Sequence, residues 1–193
     1  MSTPTTDALA PVRRRHVARW IAGSVLAVLV VVSVVLATRP TSQASPTASP
    51  LLGHRAPALS GTTLDGRHLS LAAYRGRFVF VDFFASWCAP CQAEEQSLVA
   101  FDYQQQRAAH GAALIGVVFN DPDAAARQFV DLWGARWPAL TDPGGVAAND
   151  YGVASPPTTF LVDRRGVVVG DLVGPATAGQ LDGLLARAER TGA

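Results

Sequence analysis

The chain has 193 residues, with 16 arginines, no lysine and 15 acidic residues, so its formal net charge is +1. Residues 1–50 hold five arginines and one aspartate, whereas residues 51–193 hold 11 arginines and 14 acidic residues, which is a net charge of −3. The acidic balance of the larger part argues against nucleic-acid binding. The absence of lysine excludes Schiff-base chemistry.

An uncharged apolar run of 18 residues extends from Trp20 to Ala37. As a helix it is about long enough to cross a hydrocarbon core of roughly 30 Å. Four arginines precede the run and only Arg39 follows it closely, so the positive-inside rule predicts a basic cytoplasmic N-terminus over residues 1–19 and an exported C-terminal part. We predict a transmembrane signal-anchor at 20–37. The alternative is a signal peptide cleaved near Ala37, which would leave a secreted protein.

Residues 38–50 are rich in proline, serine, threonine and alanine and lack large apolar side chains, a composition typical of a semi-extended linker. Residues 51–193 have the size of one domain. Asp65-Gly66 predicts the turn of a β-hairpin within residues 59–71. Residues 78–84 predict a buried central strand, and a helix follows over about 88–109, ending near Gly111.

The rest of the chain continues to alternate strands and helices. The predicted elements are a strand at 113–119, a helix from Asp121 to Trp133, a short strand at 137–140, a helical turn at 145–151, a strand pair at 158–162 and 167–172, and a terminal helix at 177–190. This order predicts an α/β fold in which helices cover both faces of a mixed sheet.

The two cysteines of the chain, Cys88 and Cys91, form a C-x-x-C where the central strand gives way to a helix. The free N–H groups and dipole at a helix N-terminus stabilise a thiolate and lower its pKa. Cys91 lies about one turn deeper, where it can resolve a mixed disulfide formed on Cys88. The pattern therefore predicts a redox-active dithiol that needs no cofactor.

Other interpretations of the C-x-x-C fit less well. A structural zinc site needs four ligands, and the histidines show no paired spacing. A structural disulfide across so short a loop would stabilise little. A peroxide-reducing enzyme would need a P-x-x-x-[ST]-x-x-C arrangement that is missing before Cys88. A metal or haem chaperone remains an alternative, disfavoured by the single methionine.

Residues 87–91, Trp-Cys-Ala-Pro-Cys, resemble the active site of the thioredoxin-like superfamily. Further segments are similar to its membrane-tethered TlpA/ResA/CcmG branch, namely Gly53-His54-Arg55-Ala56-Pro57, Leu64-Asp65-Gly66, residues 71–77 and residues 151–163. The resemblance covers nearly all of residues 51–193. It implies a thioredoxin fold with an N-terminal β-hairpin and an αβ insert before the late hairpin.

The resemblance also implies an extracytoplasmic thiol:disulfide oxidoreductase. Such proteins commonly reduce apocytochrome c or other exported disulfide-containing proteins, and receive electrons from a membrane thiol carrier. No cationic residue lies between the two cysteines. In strongly oxidising members of the superfamily such a residue stabilises the thiolate, and its absence at Cys88 favours a protein that reduces disulfides. We expect a monomer.

Four positions are predicted to contact substrate. Pro157 matches the cis-proline that faces the dithiol in this fold, a bond that proline adopts at low cost. Pro156 would offer its carbonyl to an incoming peptide strand, although it lacks the N–H of the usual residue there. Trp87 is predicted to shield the sulfurs, and Pro90 lies between them in sequence.

Two carboxylates are candidate catalytic groups. Asp82 matches the buried aspartate of true thioredoxins, where this branch more often has asparagine, and could relay the proton that Cys91 loses. Glu94 resembles the active-site glutamate of ResA-like members and lies three residues past Cys91, where its charge would tune the thiol pKa. The alternatives are a solvated position on the sheet for Asp82 and a solvated helix surface for Glu94, because Glu95 and Gln96 beside it are polar.

Overall fold

The computed structural model describes residues 14–37, 45–46 and 49–192. The chain divides into two compact units between Thr41 and Ser42. Most of the predicted cytoplasmic segment (residues 1–13) and most of the predicted linker (residues 38–44 and 47–48) lie outside the described residues.

The first unit contains one described helix, α1, at Arg14–Ala37. It includes the whole apolar run predicted to be helical. Large apolar side chains along it are exposed, among them Trp20, Leu26 and Val31. None of the described helices combines the length and the apolar character that crossing a membrane requires.

The second unit is built on a six-stranded mixed sheet with the order β1-β8-β7-β4-β5-β6. Its strands are β1 (Ser45–Pro46), β4 (Val79–Phe84), β5 (Ala113–Val118), β6 (Ala139–Leu140), β7 (Thr158–Val162) and β8 (Val168–Val173). The pairs β4–β5 and β5–β6 are parallel, and β4–β7 and β7–β8 are antiparallel. The predicted mixed sheet is therefore present.

The helices of this unit are α2 (Ala89–Gln105), α3 (Asp123–Trp133), α4 (Val146–Asp150) and α5 (Ala178–Arg190), with a 3₁₀ turn at Leu71–Tyr74. The predicted N-terminal hairpin is β2 (Ser60–Thr62) paired with β3 (His68–Ser70). Helix α2 is shorter than predicted. After Gln105 the chain folds back, and Gly111 lies so close to the Gln105 carbonyl that a side chain there would clash.

The two faces of β4 lie in different clusters. Val79, Val81 and Phe83 pack with Tyr151 and Phe160. On the opposite face the Phe80 ring contacts the Phe101 ring of α2 edge-on, with centroids 4.9 Å apart. Phe84, on the same face as Phe80, packs in a cluster with Cys88 and Cys91. Helix α2 therefore covers the face of β4 that Phe80 and Phe84 share.

Segments from the N-terminal part of the domain cover both edges of the sheet. At one edge β1 pairs with β8, and backbone hydrogen bonds join Gly53 and His54 to Val168. At the other, the β2–β3 hairpin bonds to β6, where Leu64 N–H donates to the Ala139 carbonyl at 2.8 Å. Residues 45–46 of the predicted linker thus form an edge strand, because β8 offers unpaired backbone groups there.

Candidate functional site

The two cysteines lie at the N-terminus of α2 and are joined as a disulfide. Cys88 is the N-cap residue, and its Sγ accepts a hydrogen bond from the Cys91 backbone N–H at 3.1 Å. Cys88 retains 3% exposure and Cys91 has none. Cys88 is therefore the more exposed of the two cysteines, and Cys91 is placed behind it.

This location favours a thiolate at Cys88. The first N–H groups of a helix lack intrahelical partners, and the dipole adds positive potential at that end. Pro90 in the first turn is compatible with this geometry, because the N–H it lacks would have had no helical partner. Pro90 is exposed beside Cys88.

Hydrogen bonds to the end of β5 hold the turn before Cys88. Ser86 donates to the Asp121 carboxylate from its backbone N–H at 2.7 Å and from its hydroxyl at 3.1 Å. The Gln92 side chain donates to the Ser86 carbonyl at 3.0 Å. Sequence reasoning missed this role of Asp121. The signal was available, because β4 and β5 are parallel and the residues that follow them meet at one edge of the sheet.

Trp87 is more exposed than a shielding role suggests. Its side chain is 57% exposed, and its Nε1 donates to the Asn120 carbonyl at 3.2 Å. The ring therefore lies on the surface next to the dithiol.

The Pro156-Pro157 peptide bond is cis. Because Thr158 is paired with Phe83, this loop lies at the same end of the sheet as the dithiol. Pro157 is buried and its carbonyl accepts from Gly174 N–H at 2.9 Å, while Pro156 is partly exposed. The accessible residues at this end of the sheet are thus Trp87, Pro90 and Pro156. Pro157 is buried within the loop.

Asp82 is almost fully buried on the face of β4 that α2 covers, between Phe80 and Phe84. Its Oδ1 accepts a hydrogen bond from the Thr159 hydroxyl at 2.9 Å. Burial raises the pKa of the Asp82 carboxyl, and the Thr159 hydrogen bond opposes this only in part. A solvated position for Asp82 is therefore wrong.

Glu94 is 1% exposed, so the solvated alternative is wrong for this residue too. Its Oε2 accepts from Ala176 N–H at 2.7 Å, and its Oε1 has no partner among the described residues. Burial, and then the neighbouring Asp82, raise the pKa of Glu94. Its protonated form is favoured.

Glu95 is a third buried carboxyl that sequence reasoning placed among the surface residues. It is 2% exposed, and burial followed by Asp82 raises its pKa to about 8. A signal existed, because Cys91, Glu94, Glu95 and Leu98 have the i, i+3, i+4, i+7 spacing of one helix face. All four are buried.

The three carboxyls and the dithiol contain no evident metal site. In residues 14–37, 45–46 and 49–192, no three histidine, cysteine, aspartate or glutamate side chains converge as metal ligands. What the arrangement offers is a slightly exposed sulfur, a fully buried sulfur and three buried carboxyls whose pKa values are raised by burial.

Known proteins with the same features support this chemistry. The AhpC/TSA family profile matches residues 52–170. The ResA thiol-disulfide oxidoreductase of Bacillus thuringiensis (strain Al Hakam) is 32% identical over 136 residues, which is 69% of this chain and 76% of that protein. The thioredoxin-like protein YneN of Bacillus subtilis (strain 168) is 34% identical over 67% of this chain and 76% of its own length.

A solved structure agrees with the sequence comparison. The crystal structure of a thiol:disulfide interchange protein of the thioredoxin family from Chlorobium tepidum TLS matches with a TM-score of 0.62. It is 30% identical, and the match covers 69% of this chain and 94% of that chain. The chain therefore belongs to the AhpC/TSA family and is a thioredoxin-like thiol-disulfide oxidoreductase.

Proposed function

We propose that this protein reduces disulfides of exported proteins, such as apocytochrome c, and is itself re-reduced by a membrane thiol carrier. The observation that carries the proposal is the pair of sulfurs at the start of α2, one slightly exposed and one fully buried, next to buried carboxyls. The ResA relatives are named as oxidoreductases of the same class.

The first chemical step takes place at Cys88. Its thiolate attacks one sulfur of the client disulfide, a bond forms between the two sulfurs, and the client's own S–S bond breaks. The leaving client sulfur departs as a thiolate and takes a proton from water. The client is then held as a mixed disulfide beside Trp87 and Pro156, both of which are accessible.

The second step takes place at Cys91. The Cys91 thiol loses its proton and its thiolate attacks the Cys88 sulfur, which expels the remaining client sulfur as a thiolate and closes the Cys88–Cys91 disulfide. Asp82, Glu94 and Glu95 are the ionisable groups on the buried side of the dithiol. Two electrons pass from the dithiol to the client, and an external dithiol must restore them.

The residues between the thiols support reduction as the direction. Ala89 and Pro90 bring no cation to Cys88, whereas strong oxidants stabilise their thiolate with such a neighbour. A less stabilised thiolate makes the reduced form the better electron donor.

The proposal includes export of the domain. Its support is the amino-acid sequence, in which four arginines precede the apolar run at 20–37. Fractionation of the host with an antibody to the domain tests this. Recovery from the membrane or from the exported fraction supports export, and recovery from the cytoplasm contradicts it.

A trapping experiment tests the substrate. The full chain with Cys91→Ser, expressed in its host, cannot resolve mixed disulfides, so clients stay covalently attached to Cys88. Mass spectrometry of reducible adducts should identify exported proteins with apocytochrome c among them. The matched control is the Cys88→Ser, Cys91→Ser double variant, which should trap nothing.

The trapped proteins distinguish a role in reducing apocytochrome c from a general reductase activity. A broad set of exported proteins without apocytochrome c would overturn the cytochrome role and leave a general reductase. Absence of any adduct that depends on Cys88 would overturn the proposed function. Insulin-disulfide reduction and copper titration of the reduced protein provide a second test, since tight stoichiometric copper binding without reductase activity would indicate a metal chaperone.

A further inference from the structure

Two buried carboxylate oxygens, Glu94 Oε1 and Glu95 Oε2, have no hydrogen-bond partner among the described residues. Leaving a buried polar atom unpaired is costly, so each such atom calls for an explanation. Glu94 is at least fixed through Oε2 by the Ala176 N–H, and Asp82 is fixed by the Thr159 hydroxyl. No hydrogen bond or ion pair holds the Glu95 side chain within the described part of the chain.

Glu95 lies where it can interact with Cys91. The two residues are four positions apart on α2, a spacing that brings their side chains together on one helix face. Side chains on a helix lean toward its N-terminus, so Glu95 leans toward the turn that holds Cys91. Both side chains are buried, at 2% and 0% exposure.

The elements packed against α2 bring apolar side chains to the core. They include Ala126 and Phe129 from α3, Leu114 and Val118 from β5, and Leu181, Leu184 and Leu185 from α5. Two ionisable groups interact electrostatically with Glu95, namely Asp82 from β4 and Glu94 from α2 itself. No cation forms an ion pair with Glu95 in the described residues.

The redox state of Cys91 decides whether this residue can donate a hydrogen bond. In the oxidised protein Cys91 carries no S–H, so it has no proton to donate. Reduction creates an S–H on the same helix face, and a thiol can donate a hydrogen bond, although a weak one. Cys91 can therefore act as a donor on the helix face of Glu95 in the reduced protein only.

We propose that Glu95 accepts the proton of Cys91 when the mixed disulfide is resolved, a role that rests on the proposed resolution by Cys91. The proton passes from the Cys91 sulfur to the Glu95 carboxylate, and the resulting thiolate attacks the Cys88 sulfur. The Cys88–client bond breaks and the client leaves as a thiolate. Glu95, now protonated, returns its proton to solvent before the next cycle.

The test is Glu95→Gln in the full chain, which keeps the shape of the side chain and removes its basicity. A disulfide-linked peptide pair with a fluorophore on each half separates the two steps in stopped flow. Attack releases the first half at a rate that depends on substrate concentration, and resolution releases the second at a rate that does not. Glu189→Gln is the matched control, because it removes an exposed carboxylate on α5.

We expect Glu95→Gln to leave attack unchanged and to slow resolution near pH 7 about tenfold, which is less than the roughly hundredfold or larger effect typical of a general base, because Asp82 and Glu94 remain. The pH profile of resolution should move to higher pH, since Cys91 must then ionise without Glu95 as its proton acceptor. Glu95→Asp should restore part of the rate. Glu189→Gln should change neither step.

Two results would overturn the proposal. Faster resolution in Glu95→Gln would mean that Glu95 acts only as a like charge that hinders Cys91 ionisation. Unchanged resolution and an unchanged pH profile would mean a structural role. In either case a normal attack phase leaves the proposed function standing, whereas the absence of attack in the unmodified protein would remove that function itself.

A second measurement covers the case in which Glu95→Gln does not fold. Infrared difference spectra between oxidised and reduced unmodified protein, with ¹³C-labelled glutamate, report changes in glutamate carboxyl protonation and hydrogen bonding. We expect a redox-linked carboxyl band that shifts with the label and is lost in Glu95→Asp or displaced by it. A spectrum without any glutamate band would contradict the proposal.

Discussion

The two faces of β4 differ in chemistry although their residues alternate along one strand. Val79, Val81 and Phe83 point into an apolar cluster in which Phe83 contacts Tyr151 and Phe160. The opposite face carries Asp82 and is covered by the helix that holds Cys91, Glu94 and Glu95. The first face supplies stability, whereas the second gives up part of that stability because it buries three carboxyls.

The cost on the second face can be stated from the ionisation equilibria. Each buried carboxyl favours its neutral form, so ionising it in the folded protein is opposed by a free energy that ionisation in the unfolded chain does not meet. A natural core would avoid three such groups on stability grounds alone. Their presence near the dithiol indicates a functional reason.

The largest effect we predict is at Cys88. Cys88→Ser should abolish disulfide reduction, because a hydroxyl at neutral pH is a far weaker nucleophile than a thiolate. Cys91→Ser lacks the disulfide equally but should still form a mixed disulfide, so it is the matched comparison. The measurement is adduct formation with a model disulfide, followed by mass spectrometry. An adduct on Cys88→Ser would contradict the assignment of the attacking sulfur.

Phe83→Ala should destabilise the protein through the apolar face of β4. Removal of this buried ring should lower the free energy of unfolding by about 3–5 kcal/mol, because it leaves a cavity among Tyr151 and Phe160. Urea unfolding of the oxidised protein measures the loss. Attack and resolution rates per folded molecule should stay unchanged under native conditions. A slowed chemical step in fully folded Phe83→Ala would show that the two faces are not separate in function.

The free energy of unfolding should depend on pH because of the buried carboxyls on the side of β4 that α2 covers. Glu95 has its pKa raised from 4.5 to about 8, so the folded state binds more protons than the unfolded state between these values. Stability must then fall as pH rises through this window, and Glu95→Gln should remove part of the fall, on the order of 4 kcal/mol at pH 8. Thermal unfolding of the oxidised protein from pH 5 to 8 measures it. Equal slopes in Glu95→Gln and the unmodified protein would contradict the raised pKa.

Thr159→Val should have the smallest effect. It removes the hydroxyl that donates to Asp82 and should destabilise the protein by about 1 kcal/mol above neutral pH, where the ionised carboxylate needs the donor. The pKa of Asp82 should rise further, which NMR titration can follow. Thr158→Val is the control, because its hydroxyl bonds to the Ser155 carbonyl instead. A titration of Asp82 that moves equally in both variants would contradict this account.

Much of the fold could be predicted because it depends on residue patterns within short segments of the chain. The Asp65-Gly66 turn, the apolar run before Cys88 and the alternation after it gave the hairpin, the central strand and the mixed sheet. The position of Asp82 follows from strand alternation, since it shares the face of Phe80 and Phe84.

What could not be predicted depends on contacts between distant segments. Glu95 is predicted to lie on the surface because its side chain is charged. Its spacing from Cys91 places both on one helix face but does not show that this face is buried against the sheet. The support of Ser86 by Asp121 needs the pairing of β4 with β5. Residues 45–46 have the composition of a linker, and their strand character comes only from the edge of β8.

The covered edges of the sheet have a consequence for the behaviour of the protein at high concentration. Exposed edge strands are the usual starting points for intermolecular strand pairing and aggregation. Here the N-terminal part of the domain occupies the backbone groups of β8 on one side and of β6 on the other. A truncated protein that begins after residue 56 would uncover β8, and this edge would then offer a template for fibre-like association.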